Sequence, residues 1–341
     1  MVPGPRTQRD RITVRDVYAI VAREPGGPDV LEWTELPDPA PGPGEVLIDV
    51  AASGVNRADL LQRQGFYPPP PGSSDIIGLE TSGTVAALGP DVTGWQVGDQ
   101  VCALLAGGGY ASKVVVPAVQ VLPLPEGVDL VTAGSLPEVA CTVWSNVVMR
   151  AGLVKDQVLL VHGGAGGIGT HAIQVGKALG ATVAVTAGSA ERLERCAELG
   201  ADITVNYRTQ DFVEVLGKRG ADVILDNMGA SYLDRNVTAL APEGHLVVIG
   251  FQGGNKAELQ MGKLLAKRGS VTATSLRFRP VTGRGSKADV VAGVRDGLWP
   301  LIAEGAVKPI VHSVIPMRDA AEAHRMLESS GEVFGKIVLT P

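Results

Sequence analysis

From Val158 to Ile249 the chain alternates apolar, β-branched runs with segments whose apolar residues recur every three or four positions. Val158–Val161, Thr182–Thr186, Ile203–Asn206, Val223–Asp226 and His245–Ile249 read as buried strands with helices between them, and Ser270–Ser275 reads as a sixth strand. Such a rhythm predicts a parallel, doubly wound sheet with right-handed crossovers, an α/β fold. The first part of the chain has another texture. Val46–Ala51, Thr84–Leu88 and Ser112–Val116 are short strand-like runs, separated by glycine- and proline-rich turns at Pro41–Gly44, Pro68–Gly72 and Ala106–Gly109. That pattern predicts a mostly antiparallel barrel or sandwich. A long helix from Thr132 to Arg150 is expected to lead into the parallel sheet. A helix at Lys287–Ala303, a strand at Ile310–Val314, a helix at Asp319–Ser329 and a strand at Lys336–Leu339 are expected to fold back onto the first region. The domain layout expected is 1–17 as a disordered extension, 18–137 and 281–341 as one discontinuous domain, and 138–280 inserted as another.

The chemistry concentrates where the first parallel strand ends. His162-Gly-Gly-Ala-Gly-Gly-Ile-Gly169 places Gly164, Gly166 and Gly169 in a G-x-G-x-x-G pattern between a strand and a helix that carries Ile168, Ala172, Val175 and Leu179 at helical spacing. Glycine serves three needs there: a sharp turn, close approach of a pyrophosphate, and tight helix–strand packing. The helix N-terminus then offers free N–H groups to an anion. A site for NAD usually carries an acid about 20 residues on, to hold the ribose 2′-hydroxyl. Here the second strand runs into Ala187-Gly188-Ser189 with no acid, and Arg192 follows one turn later. A hydroxyl and a cation suit a 2′-phosphate, so the pattern favours NADPH. Ser189 as a helix cap and Arg192 on a solvated face are the plainer alternatives. Ligands on such sheets bind beyond the strand carboxyl ends. Gly163–Gly169, Gly188-Ser189, Asn206-Tyr207, Asp226-Asn227, Gly250-Phe251 and Ser275-Leu276 are therefore expected to line one crevice.

With 341 residues, 45% hydrophobic and 19% charged, the composition suits a globular enzyme of two domains. The net charge of −6 gives no basic footprint for nucleic acid. There is no membrane-length apolar run, and Met1–Asp16 lacks a signal-peptide core. Cys102, Cys141 and Cys196 form no C-x-x-C and fit reduced thiols of a cytoplasmic protein. The five histidines, at 162, 171, 245, 312 and 324, show no metal-binding spacing.

Gly26-Gly-Pro28, Pro41-Gly-Pro-Gly-Glu-Val46, Ala52-Ser-Gly-Val-Asn-Arg-Ala-Asp59, Gly65-Phe-Tyr-Pro-Pro-Pro-Pro-Gly72 and Gly98-Asp-Gln-Val101 together resemble the medium-chain dehydrogenase/reductase superfamily, within it the quinone oxidoreductase branch that includes zeta-crystallin. The resemblance runs from about Tyr18 to Leu339 and takes in Gly188-Ser189, Asn206-Tyr207 and Gly335-Lys-Ile-Val-Leu339. It implies a GroES-like β-rich substrate domain joined to a Rossmann nucleotide domain. The zinc alcohol dehydrogenases of the same superfamily have a cysteine where Asn56 stands, Gly-His-Glu at Gly78-Leu79-Glu80, and four further cysteines where only Cys102 is found. No zinc is expected, so the acceptor must be electrophilic without a Lewis acid.

The resemblance implies an NADPH-dependent reductase of quinones, ortho-quinones in particular. By the same resemblance Asn56 and Thr142 face the nicotinamide, while Gly164, Ala165, Gly166, Gly167 and Ile168 underlie the pyrophosphate. Gly188, Ser189, Arg192 and Tyr207 surround the 2′-phosphate; Asn227, Gly250, Phe251, Ser275 and Leu276 follow the ribose and nicotinamide. Phe334 and Lys336 close the site from the C-terminal segment. Tyr67 overlooks the substrate and can donate a hydrogen bond to a quinone oxygen, although its ring could equally pack on a stiff polyproline loop. Asn56 could likewise do no more than cap a turn. A homodimer through the Ser270–Ser275 edge strands is also implied. Two rivals remain open at this point: an enone or enoyl-thioester reductase with Tyr67 as proton donor, and a crystallin-like protein that holds NADPH without turnover.

Overall fold

The computed structural model describes residues 17–329 and 331–341; the polar extension foreseen over Met1–Asp16 lies outside them. Val17, assigned above to that extension, is buried and begins the first strand. Strands β1 (Val17–Ala22) and β2 (Leu31–Leu36) pair antiparallel. Next come β3 (Glu45–Val55), α1 (Arg57–Arg63), β4 (Glu80–Leu88), β5 (Gln100–Leu104), β6 (Lys113–Pro117) and β7 (Val121–Pro123). These strands join one sheet of order β14-β15-β3-β4-β5-β7, with β6 on β3, where β14 is Val311–Pro316 and β15 is Lys336–Thr340. The two C-terminal strands thus sit on the edge of the N-terminal sheet, β15 pairing antiparallel with β3 through Ile337 and Val55.

The second sheet has six parallel strands in the order β10-β9-β8-β11-β12-β13. They are β8 (Val158–His162), β9 (Thr182–Ala187), β10 (Ile203–Asn206), β11 (Ala221–Asp226), β12 (Leu240–Val248) and β13 (Ser270–Ala273). Every residue of β8 is buried, as a central strand covered on both faces must be. The fold is therefore a GroES-like β domain with a Rossmann-type parallel sheet. No helix among the described residues is long and apolar enough to cross a membrane.

The long helix expected over Thr132–Arg150 is not one helix. It divides into α2 (Leu130–Ala133), α3 (Pro137–Val143) and a wider π turn at Trp144–Val148. Pro137 explains the break: it has no N–H, and its ring would strike the carbonyl four residues back. Gly134 fits the gap because a Cβ there would lie 2.9 Å from the Ala52 backbone. The helix foreseen at Lys287–Ala303 does run throughout, as a helix over Lys287–Gly293, a π turn at Val294–Leu298, and a helix over Trp299–Ala303. Pro300, which cannot donate to the ladder, sits just past that irregular turn. One apolar core joins both sheets, with Leu122, Leu136, Leu159, Ile173, Val294 and Trp299 among its members.

Candidate functional site

The site begins at the carboxyl end of β8, where the glycines have separate duties. Gly163 sits at φ 75°, which an ordinary side chain rarely adopts. A Cβ on Gly164 would lie 2.8 Å from Val185 and 3.2 Å from the Cys196 sulfur, so this residue lets the turn pack on β9. A Cβ on Gly169 would collide with the Gly163 carbonyl, so that glycine seats the twelve-residue helix Gly167–Ala178 against its own turn. Gly166 differs. It caps that helix with its nearest neighbour 3.6 Å from a hypothetical Cβ, leaving open space above the backbone.

That space belongs to a crevice of about 360 Å³ at the carboxyl ends of the parallel strands. Of the residues expected to bind cofactor or substrate, the crevice gathers Asn56, Ala165, Gly166, Gly167, Ile168, Gly188, Arg192, Tyr207, Asn227 and Lys336. Gly188 lets the Tyr207 phenol lie close over the backbone, since a Cβ there would push that ring aside. Arg192 Nη2 donates to the Val333 carbonyl at 2.9 Å, tying this wall to the C-terminal segment. The same segment docks on the glycine turn through Gly335 N to Ala165 O at 3.0 Å. Ser189 caps the helix Ala190–Glu198 by accepting from Arg192 N at 3.4 Å, the plainer role foreseen for it. Asn227 Oδ1 is buried without a hydrogen-bond partner on the crevice wall, an acceptor waiting for a donor.

Other expected residues lie elsewhere. Gly164 is inside the turn. Gly250 lies against the Asn227 backbone, but neither it nor Phe251 is on the lining, whereas the neighbouring Gln252 is. Leu276 packs against the shared core. Phe334 was expected to close over the site; it is buried instead, with the Arg195 guanidinium 3.8 Å over its ring. Stacking a cation on an aromatic face accounts for that placement. Thr142 is buried and donates to Glu138 Oε1 at 3.2 Å rather than reaching the crevice.

At the inner end of the crevice the structure assembles a knot of charges. Lys336 Nζ donates to Val55 O at 3.0 Å, Asn56 Oδ1 at 2.5 Å and Glu80 Oε1 at 2.6 Å. Asn56 Nδ2 donates to the same Glu80 oxygen at 2.9 Å, and Glu80 Oε2 accepts from Glu138 N at 2.9 Å. Both ends of the Asn56 amide are thus engaged by protein, and Asp59 Oδ2 accepts from Asn56 N at 2.7 Å at the start of α1. Burial pushes the Asp59 carboxyl up to about 7, against the pull of its hydrogen bond from Asn56. Glu138 is likewise pushed up to about 7, by burial first and then by the charge of Glu80. Apart from Asn56 and Lys336, sequence reasoning missed this knot. Its one sequence signal is an acid, Glu80, opening a strand whose first four residues are all buried.

Tyr67 stands on the polyproline loop with its hydroxyl 2.9 Å from Ser275 Oγ, a contact between the two halves of the molecule. The Phe278 ring meets it edge-on at 5.5 Å. Burial raises the phenol's pKa, the Ser275 bond and the Arg277 charge oppose this, and Glu138 is close enough to raise it further.

Zinc does not fit the inner end. Among the described residues no three His, Cys, Asp or Glu side chains cluster to hold a metal. The Asn56 and Glu80 oxygens that could contribute already share an ammonium. A dinucleotide does fit, on the open backbone at Gly166 and the unpartnered Asn227 oxygen.

Comparison with known proteins agrees with this geometry. Residues 42–126 match the alcohol dehydrogenase GroES-like domain, and residues 167–283 match the family described as zinc-binding dehydrogenase. A 2-haloacrylate reductase from Burkholderia sp is 31% identical over 339 residues, covering 95% of this chain and 99% of that protein. Quinone oxidoreductase 1 of Escherichia coli is 31% identical over 312 residues, 89% of this chain and 94% of the other. The crystal structure of the Escherichia coli quinone oxidoreductase complexed with NADPH superposes with a TM-score of 0.83 at 30% identity, covering 95% of this chain and 100% of that one.

Proposed function

Since the chain belongs to the medium-chain dehydrogenase/reductase superfamily, in its zinc-free quinone oxidoreductase branch, and is an oxidoreductase, we propose that it draws reducing power from NADPH and delivers it to quinones, ortho-quinones among them. The observation that carries this reading is the Lys336 ammonium seated between Asn56 and Glu80. Where alcohol-oxidising members of the superfamily need a Lewis acid, this chain holds a side-chain cation that is already saturated with hydrogen bonds. The acceptor must therefore be electrophilic by itself.

When bound, NADPH supplies the hydride. The protein binds and orients. Backbone N–H groups at Gly167 and Ile168 would take the pyrophosphate at a helix N-terminus, over the open backbone of Gly166. Arg192 and Tyr207, with the Ser189 hydroxyl, would hold the 2′-phosphate beside the acid-free end of β9. The Asn227 amide would meet the ribose, with Ser275 toward the nicotinamide. Tyr67 donates a hydrogen bond to the acceptor oxygen as charge develops there, its hydroxyl oriented by Ser275. Asn56 keeps the inner wall in shape through Lys336.

A second reading is reduction of an activated alkene, favoured by the likeness to the 2-haloacrylate reductase. Tyr67 would then give its proton to carbon. Following NADPH absorbance with an ortho-quinone, a 2-haloacrylate and an enoyl thioester side by side separates the two. Turnover confined to the alkenes would overturn the quinone assignment. We extend the proposal to assembly: β13 is a sheet edge, and the helix before it exposes Met261 and Leu265, which suits edge-to-edge pairing of two copies. A monomer mass by light scattering would rule that out.

A further inference from the structure

Tyr67 is held by a residue from the other half of the molecule. Arg277 follows β13 by four positions, yet it is 3% exposed and its guanidinium enters the GroES-like half. Nε donates to the Ala106 carbonyl at 2.8 Å, Nη1 to the Tyr67 carbonyl at 3.1 Å, and Nη2 to Gln62 Oε1 at 2.7 Å. The same carbon centre lies 5.2 Å from the Tyr67 ring centroid. One side chain therefore ties together α1, the polyproline loop and the loop after β5. Gln62 extends the tie by donating to Asp75 O at 2.9 Å, at the far end of the polyproline loop.

The segment carrying Arg277 is itself braced. Lys287, 4% exposed, donates to the Arg279 carbonyl at 2.6 Å, and Arg279 Nη1 donates to Gly285 O at 2.7 Å. Two residues before Arg277, Ser275 holds the Tyr67 hydroxyl. The Tyr67 backbone and hydroxyl are thus both gripped by one short stretch, residues 275–277. A guanidinium with fixed, diverging donors can hold three acceptors on three elements at once, which an ammonium on a flexible stem cannot do with the same geometry.

We propose that Arg277 is a positioning residue that fixes the height and direction of the Tyr67 phenol over the acceptor, so that the nucleotide-binding half sets the geometry of the substrate-binding half. This rests on Tyr67 being the substrate-facing donor. The Arg277 charge supports it by favouring a more acidic phenol.

The test is a double-mutant cycle of Arg277→Lys with Tyr67→Phe. In the wild-type background Arg277→Lys is expected to lower kcat/KM for the quinone on the order of ten- to a hundredfold, the scale of a misplaced catalytic group. NADPH affinity should stay within about twofold, because the tie does not touch the nucleotide crevice. In the Tyr67→Phe background the same change should cost little more. Equal losses in both backgrounds, or a matching loss of NADPH affinity, would overturn the proposal. Gln62→Leu removes one of the three bonds and gives a milder variant, expected to move the same ratio in the same direction; no change there also counts against the tie. Hydrogen exchange over residues 62–75 needs no turnover. Faster exchange confined to that segment in Arg277→Lys supports the clamp even if the acceptor is an alkene rather than a quinone, and unchanged exchange sinks it.

Discussion

At the glycine turn the crevice wall is bare backbone, all of it within residues 163–169. At the inner end it is side chain, Asn56 and Lys336, backed by the carboxyl groups of Asp59, Glu80 and Glu138 on α1, β4 and α3. The first wall leaves open space above the Gly166 backbone, where the proposed function puts a phosphate. The second works by satisfying an ammonium so fully that no metal is needed to organise it. A contiguous stretch can therefore make a binding surface by omission, whereas a buried charged surface needs partners brought from across the fold.

The largest effect should come from breaking the charged wall. Lys336→Met leaves Glu80 buried without its cation and is expected to cost about 3–5 kcal/mol, the usual penalty for orphaning one member of a buried pair. Thermal unfolding would show it as a large fall in Tm, and Lys336→Met in a Glu80→Gln background should recover part of the loss. An unchanged Tm would mean that the knot contributes nothing to stability.

The backbone wall should respond in the opposite way. Gly166 has ordinary φ and open space for a Cβ, so Gly166→Val should leave Tm almost unchanged. Filling the phosphate approach is expected to weaken both NADPH and NADH by roughly ten- to a hundredfold, as for the loss of charge-assisted hydrogen bonds worth about 1.5–3 kcal/mol. Gly169→Val, in contrast, should fail in stability, because its Cβ collides with the turn itself. If the two glycine variants behaved alike, the division of duties within the turn would be wrong.

This contrast also explains what could be read in the sequence. The strands of the parallel sheet were legible because each is a short apolar run whose burial is fixed locally; Ile203–Asn206 agrees to the residue. The glycine turn was legible for the same reason. The helix Thr132–Arg150 was misread because its apolar spacing hid Pro137, whose missing N–H outweighs periodicity. Strands β1, β2, β5 and β7 were passed over, mixed burial giving no clean alternation in the first two. The charged knot was illegible as a unit: Lys336 meets Asn56 across 280 positions and Glu80 across 256, and no local pattern encodes that. Arg277 escaped notice for the same reason, bonding to Gln62 across 215 positions.

The smallest effect is a pH dependence confined to the charged wall. Asp59 and Glu138 each titrate near about 7 in the folded chain, above the ordinary carboxylate values of 3.8 and 4.5. Between those values the folded state binds more protons than the unfolded one, so this contribution is full in acid and is lost as pH rises through about 7. Glu138→Gln should flatten the fall in Tm between pH 5 and about 8. The same slope in both proteins would show that Glu138 does not titrate there.

In the proposed function the outer wall grips a dinucleotide carrying a 2′-phosphate. This is tested most directly by titrating wild-type protein and Arg192→Glu with NADPH and NADH while following nicotinamide fluorescence. The wild type is expected to bind NADPH more tightly than NADH, and the variant to lose that preference selectively, with NADH nearly unaffected. Equal losses for both cofactors, or no binding of either by the wild type, would contradict it.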